Sequence, residues 1–229
     1  MSDSTAVRDF YDSASYLSRN AIIPVRAALV RELVGDQLAG ARVLDLGCGD
    51  GSISRPLLAE AGHLTLVDFS AEMLNRARRS IPDGAAEFVP DDVLHYQAPE
   101  PFDIVLCVGV LAHVPSPRAL ISRVAQATRP GGLCIVQITD DGSPLGSLGN
   151  RYGWWQRGLS WKLNRMSRSD ITLLAADHDL EEVGSRRYGL LVPGTGRLPY
   201  RWTLGLERWG ARRPLSRLAA ELLLAFRRS

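Results

Sequence analysis

Only three cysteines occur in the 229 residues, Cys48, Cys107 and Cys134. Each lies in an apolar strand or at a strand end, and none has the spacing of a metal-ligand pair. The sequence therefore offers no metal site and predicts reduced thiols in a cytoplasmic protein. No stretch approaches the roughly 18 apolar residues that a membrane span needs. The first five residues carry no basic stretch and lead into no apolar run, which argues against a signal peptide. Net charge is only +2, so nothing in the overall balance demands nucleic acid. Tryptophan is missing from the first 150 residues.

What is there suits one globular unit. Hydrophobic residues make up 45% and charged residues 23%, enough of each for a real core under a solvated surface. The length fits a single domain over residues 1–229.

The chain is organised around residues 43–54, VLDLGCGDGSIS. A short apolar strand breaks into a glycine-rich turn and then opens a helix. That order puts free backbone N–H groups and a helix N-terminus at the carboxyl edge of a sheet, where nucleotide-like ligands bind. The glycines are Gly47, Gly49 and Gly51, and Ser52 stands where the dinucleotide pattern G-x-G-x-x-G has its third glycine. Asp45 sits two residues before the first glycine. A carboxylate there suits a cationic or hydrogen-bond-donating ligand better than a pyrophosphate. A nicotinamide or flavin fold is the alternative.

This stretch resembles the first motif of the class I S-adenosylmethionine-dependent methyltransferases, within their small-molecule and quinone-biosynthesis-like group. The resemblance covers about residues 40–140 in five ordered pieces. It implies an α/β, Rossmann-like, doubly wound sheet of seven mostly parallel strands with helices on both faces. A helical N-terminal cap (1–40), a cofactor-binding core (41–142), a tryptophan-rich, lid-like insertion after the fifth strand (143–168) and a C-terminal part of the sheet (169–229) complete the expected layout.

Before the motif, residues 27–34 have helical spacing that stops near Gly35. Upstream aromatics, Tyr11 and Tyr16 among them, would cap the cofactor and the acceptor. After the motif, residues 56–61 are expected to continue the first helix, with Gly62 ending it. The run 63–67 reads as a second buried strand closing on Asp68, about twenty residues after the glycine turn, as expected for a ribose-binding acid. Ser70 caps a helix over 71–80. By resemblance, Phe69 and Met73 lie near adenine and ribose. A third strand runs into Asp91, Asp92 and Val93, where the family places an acid on the adenine amino group, and Asp92 matches best.

Residues 102–110, with Cys107, form the clearest buried strand. The following 111–114 element, with His113, resembles the family's loop after the fourth strand. It lacks the Asp/Asn-Pro-Pro-Tyr-like signature of many enzymes that methylate bases or glutamine. A helix over 117–128, an Arg-Pro-Gly-Gly turn and a fifth strand over 133–139 follow.

Beyond Thr139 the likeness thins. All five tryptophans lie after residue 150, and Trp154 and Trp155 are expected in the acceptor pocket with Asp140, Tyr16 and His113. A helix is expected over 169–176, capped by Ser167 or Ser169, then a sixth strand near 182–190. Residues 221–228 are helical by propensity, but the resembling fold makes them the seventh strand, antiparallel between the fifth and sixth. The same region is rich in arginine, which could meet a membrane surface or form a solvated basic face.

The resemblance implies an S-adenosylmethionine-binding enzyme that methylates a small or amphipathic molecule, most readily at oxygen. Its expected cofactor contacts are Tyr11, Asp45, Gly47, Cys48, Gly49, Asp68, Phe69, Met73, Asp92, Val93 and Cys107. His113 is the first candidate for a general base, followed by Tyr16. N- or C-methylation, an RNA or protein acceptor, and a non-catalytic binding module are the alternatives. No nucleic acid and no metal are expected.

Overall fold

The structure is a computed structural model that describes residues 7, 22–153, 159–190, 200–211 and 214–229. In chain order the helices are α1 (Ile22–Val34), α2 (Ala71–Ser80), α3 (Pro117–Ala127), α4 (Pro144–Arg151), α5 (Arg168–Ala176) and α6 (Tyr200–Ala211). The strands are β1 (Arg42–Leu46), β2 (His63–Val67), β3 (Glu87–Val89), β4 (Phe102–Cys107), β5 (Thr128–Thr139), β6 (Leu180–Tyr188) and β7 (Glu221–Arg228). They form one seven-stranded sheet in the order β3-β2-β1-β4-β5-β7-β6. The pairs among β1 to β5 are parallel, whereas β7 runs antiparallel to both β5 and β6. This is the expected doubly wound α/β fold.

Both faces of the sheet are covered, which explains why its central strands are continuous apolar runs. On one face Leu44, Leu46, Val105, Cys107 and Val136 pack with Leu120, Ile121 and Val124 of α3 and Ile171 of α5. On the other, Val43, Leu64, Leu66, Ile104 and Ile135 pack with Val30 and Val34 of α1 and Leu74 of α2. Period-two alternation along each strand feeds the two cores.

Serines start four of the helices. The Ser70 side chain accepts from the Met73 N–H, Ser116 from Ala119 and Ser143 from Gly146. Ser167, not Ser169, caps α5, and Asp170 completes a reciprocal capping box with it.

Three local expectations change. The segment after the glycine turn is not an α-helix but a short 3-10 turn, Arg55–Leu57. Pro56 has no N–H to give to a carbonyl four residues back, so an α-helix cannot run through it intact. Gly62 serves another contact: a Cβ there would lie 2.4 Å from the Gly40 carbonyl oxygen. The fifth strand begins at Thr128, because residues 129–132 are taken up as an irregularity opposite Phe102–Ile104. The propensity of residues 221–228 for helix is overridden by pairing along both edges of β7.

Candidate functional site

Where β1 ends, Gly47, Gly49 and Gly51 all have positive φ, at 75°, 55° and 74°. Gly47 is needed on two counts, since a Cβ there would also fall 2.3 Å from Val110 Cγ2. A Cβ on Gly49 would meet nothing within 4 Å, so this backbone faces open space. That space belongs to a cavity of about 370 Å³ at the carboxyl edge of the parallel strands.

At the tip of β2, Asp68 locks the turn. Its Oδ2 accepts the Gly49 N–H at 2.8 Å, and its Oδ1 accepts the Ser70 N–H at 2.9 Å. The carboxylate is thereby aimed at the cavity wall by backbone on both sides. Past β3, Asp92 accepts the Leu94 N–H at 2.8 Å, while Asp91 accepts from Asp92 N–H at 2.7 Å. Asp92 lines the cavity; Asp91 is not among its lining residues.

Of the expected cofactor contacts, Gly47, Cys48, Gly49, Asp68, Phe69, Met73, Asp92 and Val93 line this cavity, and so does His113. Asp45, Cys107 and Asp140 do not. The pleat of β1 turns Asp45 to the same face as Val43. It is buried with its Oδ2 lacking a protein partner. Burial pushes its carboxyl up to about 7, with the Asp68 charge adding to the effect. Cys107 is fully buried in β4. Asp140 pairs with Arg187 and accepts the Gly142 and Arg168 N–H groups, so it pins the loop after β5. Tyr11, Tyr16, Trp154 and Trp155 lie outside the described residues.

His113 sits in a built setting. Its Nδ1 accepts the Trp161 Nε1–H at 3.2 Å, and the two rings meet edge-on at 5.8 Å. Burial drives its imidazole down to about 4, so it is neutral at pH 7. With Nδ1 accepting, the ring proton of the neutral imidazole resides on Nε2. Asn164 ties the same insertion to the loop after β4. Its side chain donates to the Leu111 carbonyl at 3.0 Å and to that of Val114, and its backbone N–H donates to Ala112 at 2.9 Å. Leu159 and Leu163 of this insertion reach the cavity.

The sequence reading missed the other end of the cavity. Arg26 from α1, Gln137 and Thr139 from β5, and Glu221 from β7 line it together. Gln137 and Thr139 were visible as polar residues in an apolar strand. Glu221 was visible only as an acid in front of an apolar run.

A family described as "Methyltransferase domain" matches residues 43–132, the stretch that carries the glycine turn, Asp68 and Asp92. A ubiquinone biosynthesis O-methyltransferase of Idiomarina loihiensis is 34% identical over 171 residues, 71% of this chain and 70% of that protein. The protein of the same name from Xylella fastidiosa (strain 9a5c) is 35% identical over 122 residues, 51% of this chain and 48% of its own. The chain thus spans about half the length of several curated relatives it matches. Among solved structures, magnesium protoporphyrin IX methyltransferase from Synechocystis PCC 6803 shares the fold at a TM-score of 0.69 and 21% identity, covering 99% of this chain and all of that one. An N-methyltransferase from Bradyrhizobium japonicum WM9 does so at 0.69 and 17% identity, covering 97% and 96%. Sequence and fold agree: the chain belongs to the class I S-adenosylmethionine-dependent methyltransferases.

Proposed function

We propose that the protein transfers the methyl group of S-adenosylmethionine to a hydroxyl of a small, amphipathic molecule. The observation that carries this reading is the convergence of the glycine turn, Asp68 and Asp92 on one cavity. The residues fit the cofactor. Gly49 leaves room beside its backbone, Asp68 presents a carboxylate to a ribose diol, and Asp92 presents one to an amino group. When bound, the cofactor supplies a methyl on a sulfonium whose leaving group is a neutral thioether. What remains for the protein is to orient the acceptor in line and to exclude water. Leu159 and Leu163 supply apolar wall for that purpose, and His113 lines the same cavity. Oxygen as the target is supported by the relatives, which are named for O-methylation in ubiquinone biosynthesis.

The direct test is calorimetric titration with S-adenosylmethionine, S-adenosylhomocysteine and NAD, followed by methyl transfer from labelled cofactor to a catechol with a short prenyl tail. Binding of the first two ligands and labelling of the catechol are expected. Binding of NAD instead would overturn the reading of the cofactor.

An amphipathic acceptor also fits a peripheral membrane contact. Among the described residues no helix is long and apolar enough to cross a membrane. Helix α6, however, exposes Trp202, Leu206 and Trp209 at i, i+4 and i+7, with Trp202 70% exposed. Arg201 and Arg208 are exposed beside them, while Thr203 and Glu207 face inward. Aromatic and aliphatic side chains flanked by arginines suit an anionic lipid interface. Co-sedimentation with phosphatidylglycerol vesicles, lost in a Trp202→Ala/Trp209→Ala double variant, is the expected result. Equal pelleting of both proteins would remove this surface. A cytoplasmic location belongs to the same reading, supported by three free, buried thiols.

A further inference from the structure

The cavity has two unlike ends. One is the glycine turn with Asp68 and Asp92; the other gathers Arg26, Gln137, Thr139 and Glu221. In the strand order, β2 and β7 are separated by β1, β4 and β5, on the order of 19 Å at the usual strand spacing. If the first end holds the nucleoside, the second faces the acceptor.

Glu221 stands at the start of β7, level with Thr139 of β5 and Tyr188 of β6. One carboxylate oxygen accepts the Thr139 hydroxyl at 3.1 Å, and the other accepts the Gln137 amide. Both donors are neutral. Behind it, Arg26 Nε donates to the Tyr188 hydroxyl at 2.7 Å. Glu207 of α6, fully buried, accepts the backbone N–H groups of Gly189 at 2.9 Å and Leu190 at 3.3 Å. Glu207 and Arg26 are thus charged neighbours of Glu221 in this cluster. Burial strips water from a carboxylate and makes its charge less favourable. Burial accordingly pushes the Glu221 carboxyl above its ordinary range, against the pull of Arg26, Thr139 and Gln137 and with the push of Glu207. A carboxylate that gains by acquiring a proton, set in the wall of the acceptor end, is placed as a base.

We propose that Glu221 is the acceptor-site base of this enzyme, binding the substrate by its hydroxyl and taking that hydroxyl's proton. The acceptor O–H bond breaks and its oxygen forms the new bond to the methyl carbon. The carbon–sulfur bond breaks with its electron pair left on the donor's sulfur, and the proton ends on the Glu221 carboxylate. Gln137 and Thr139 hold the carboxylate in place, and Arg26 offsets its charge before the proton arrives. The acceptor class that follows is one with an acidic hydroxyl, a phenol, whose proton a carboxylate can take.

This inference rests on the cavity being a methyltransferase site, and the test separates the two. Glu221→Gln keeps the size of the side chain and removes the base. Calorimetry with S-adenosylhomocysteine should give affinities within 2-fold of wild type, which also shows that the variant is folded. Binding of the prenyl-tailed catechol to the S-adenosylhomocysteine-loaded protein should weaken about 10-fold. Turnover of the catechol should fall by roughly 10² or more, the usual worth of a positioned base. The acidic limb of the wild-type kcat/KM profile, set by Glu221 among Arg26, Tyr188 and Glu207, should disappear. A variant with wild-type catechol affinity, rate and pH profile would overturn the role of Glu221 while leaving the methyltransferase reading intact. A wild-type protein that binds no S-adenosylhomocysteine, or methylates no catechol, would overturn that reading and this proposal with it.

Discussion

The two ends of the cavity are built in different ways. The proposed cofactor end comes from residues 47–93, in which each strand tip follows the last by one crossover and contributes its group in chain order. Its fixed points are backbone: the Gly49 and Ser70 N–H groups on Asp68, and positive φ at three glycines. The proposed acceptor end joins residue 26 to residues 137, 139 and 221, and its fixed points are side chains. A backbone-built site tolerates little change in shape but serves one ligand across many chemistries. A site built from side chains can change its ligand by single substitutions without disturbing the sheet. This division explains how one fold meets one cofactor and many acceptors.

Substitutions at the two ends should therefore act differently, beginning with the most severe. Gly47→Ala sets a Cβ against Val110 at a backbone with φ 75°. It should abolish S-adenosylhomocysteine binding in calorimetry and lower the melting temperature. Retained affinity would show that the turn is less rigid than its geometry. Asp68→Ala leaves the Gly49 and Ser70 N–H groups without their acceptor as well as the ribose hydroxyls. Cofactor affinity should fall by about 10- to 100-fold, corresponding to about 1.5–3 kcal/mol for hydrogen bonds to a charged group. An unchanged Kd would take Asp68 out of the site.

The third prediction concerns pH. In the folded protein His113 is held near 4, below its ordinary 6.5, because burial disfavours the imidazolium. The unfolded chain therefore takes up the proton first as pH falls. Stability from this group is present above 6.5 and is lost as pH drops toward 4, by up to about 3 kcal/mol. His113→Asn should flatten that acid-side loss in urea titrations between these pH values, with cofactor affinity unaltered. Identical pH slopes for variant and wild type would show that the ring is hydrated. The smallest effect is expected for Trp161→Phe. It removes the indole donor to His113 Nδ1 and frees that nitrogen to accept. A stability loss of about 1 kcal/mol is expected, with a rise in the His113 pKa that NMR titration would detect.

How much was legible in the sequence follows the same divide. Gly47, Gly49, Asp68 and Asp92 could be brought to one cavity from the sequence because strand tips in a parallel sheet lie within a few residues of the apolar run that precedes them. Asp45 is buried off the cavity wall, and the motif alone does not tell which face of β1 its carboxylate takes. Pro56 should have argued against a helix there, since its missing N–H is a local fact. Glu221 could not be placed until residues 221–228 were known to lie antiparallel between β5 and β6, and local propensity pointed to a helix. Arg26 was hidden for a related reason. A helix preceding the first strand reveals its buried stripe but not which strand ends it overhangs.

The position of β7 has a consequence for the order in which the chain can assemble. Strands β5 and β6 are emitted by the ribosome well before residues 221–228, yet they are joined in the sheet only through β7. Until that strand arrives, both present open edges, the kind of surface that templates wrong pairings between chains. The first five strands, with the whole glycine turn, can close as a parallel half-sheet during synthesis. The strand that seals the sheet also delivers Glu221. A nascent chain would thus acquire its grip on the nucleoside early and its acceptor end only at the final pairing step.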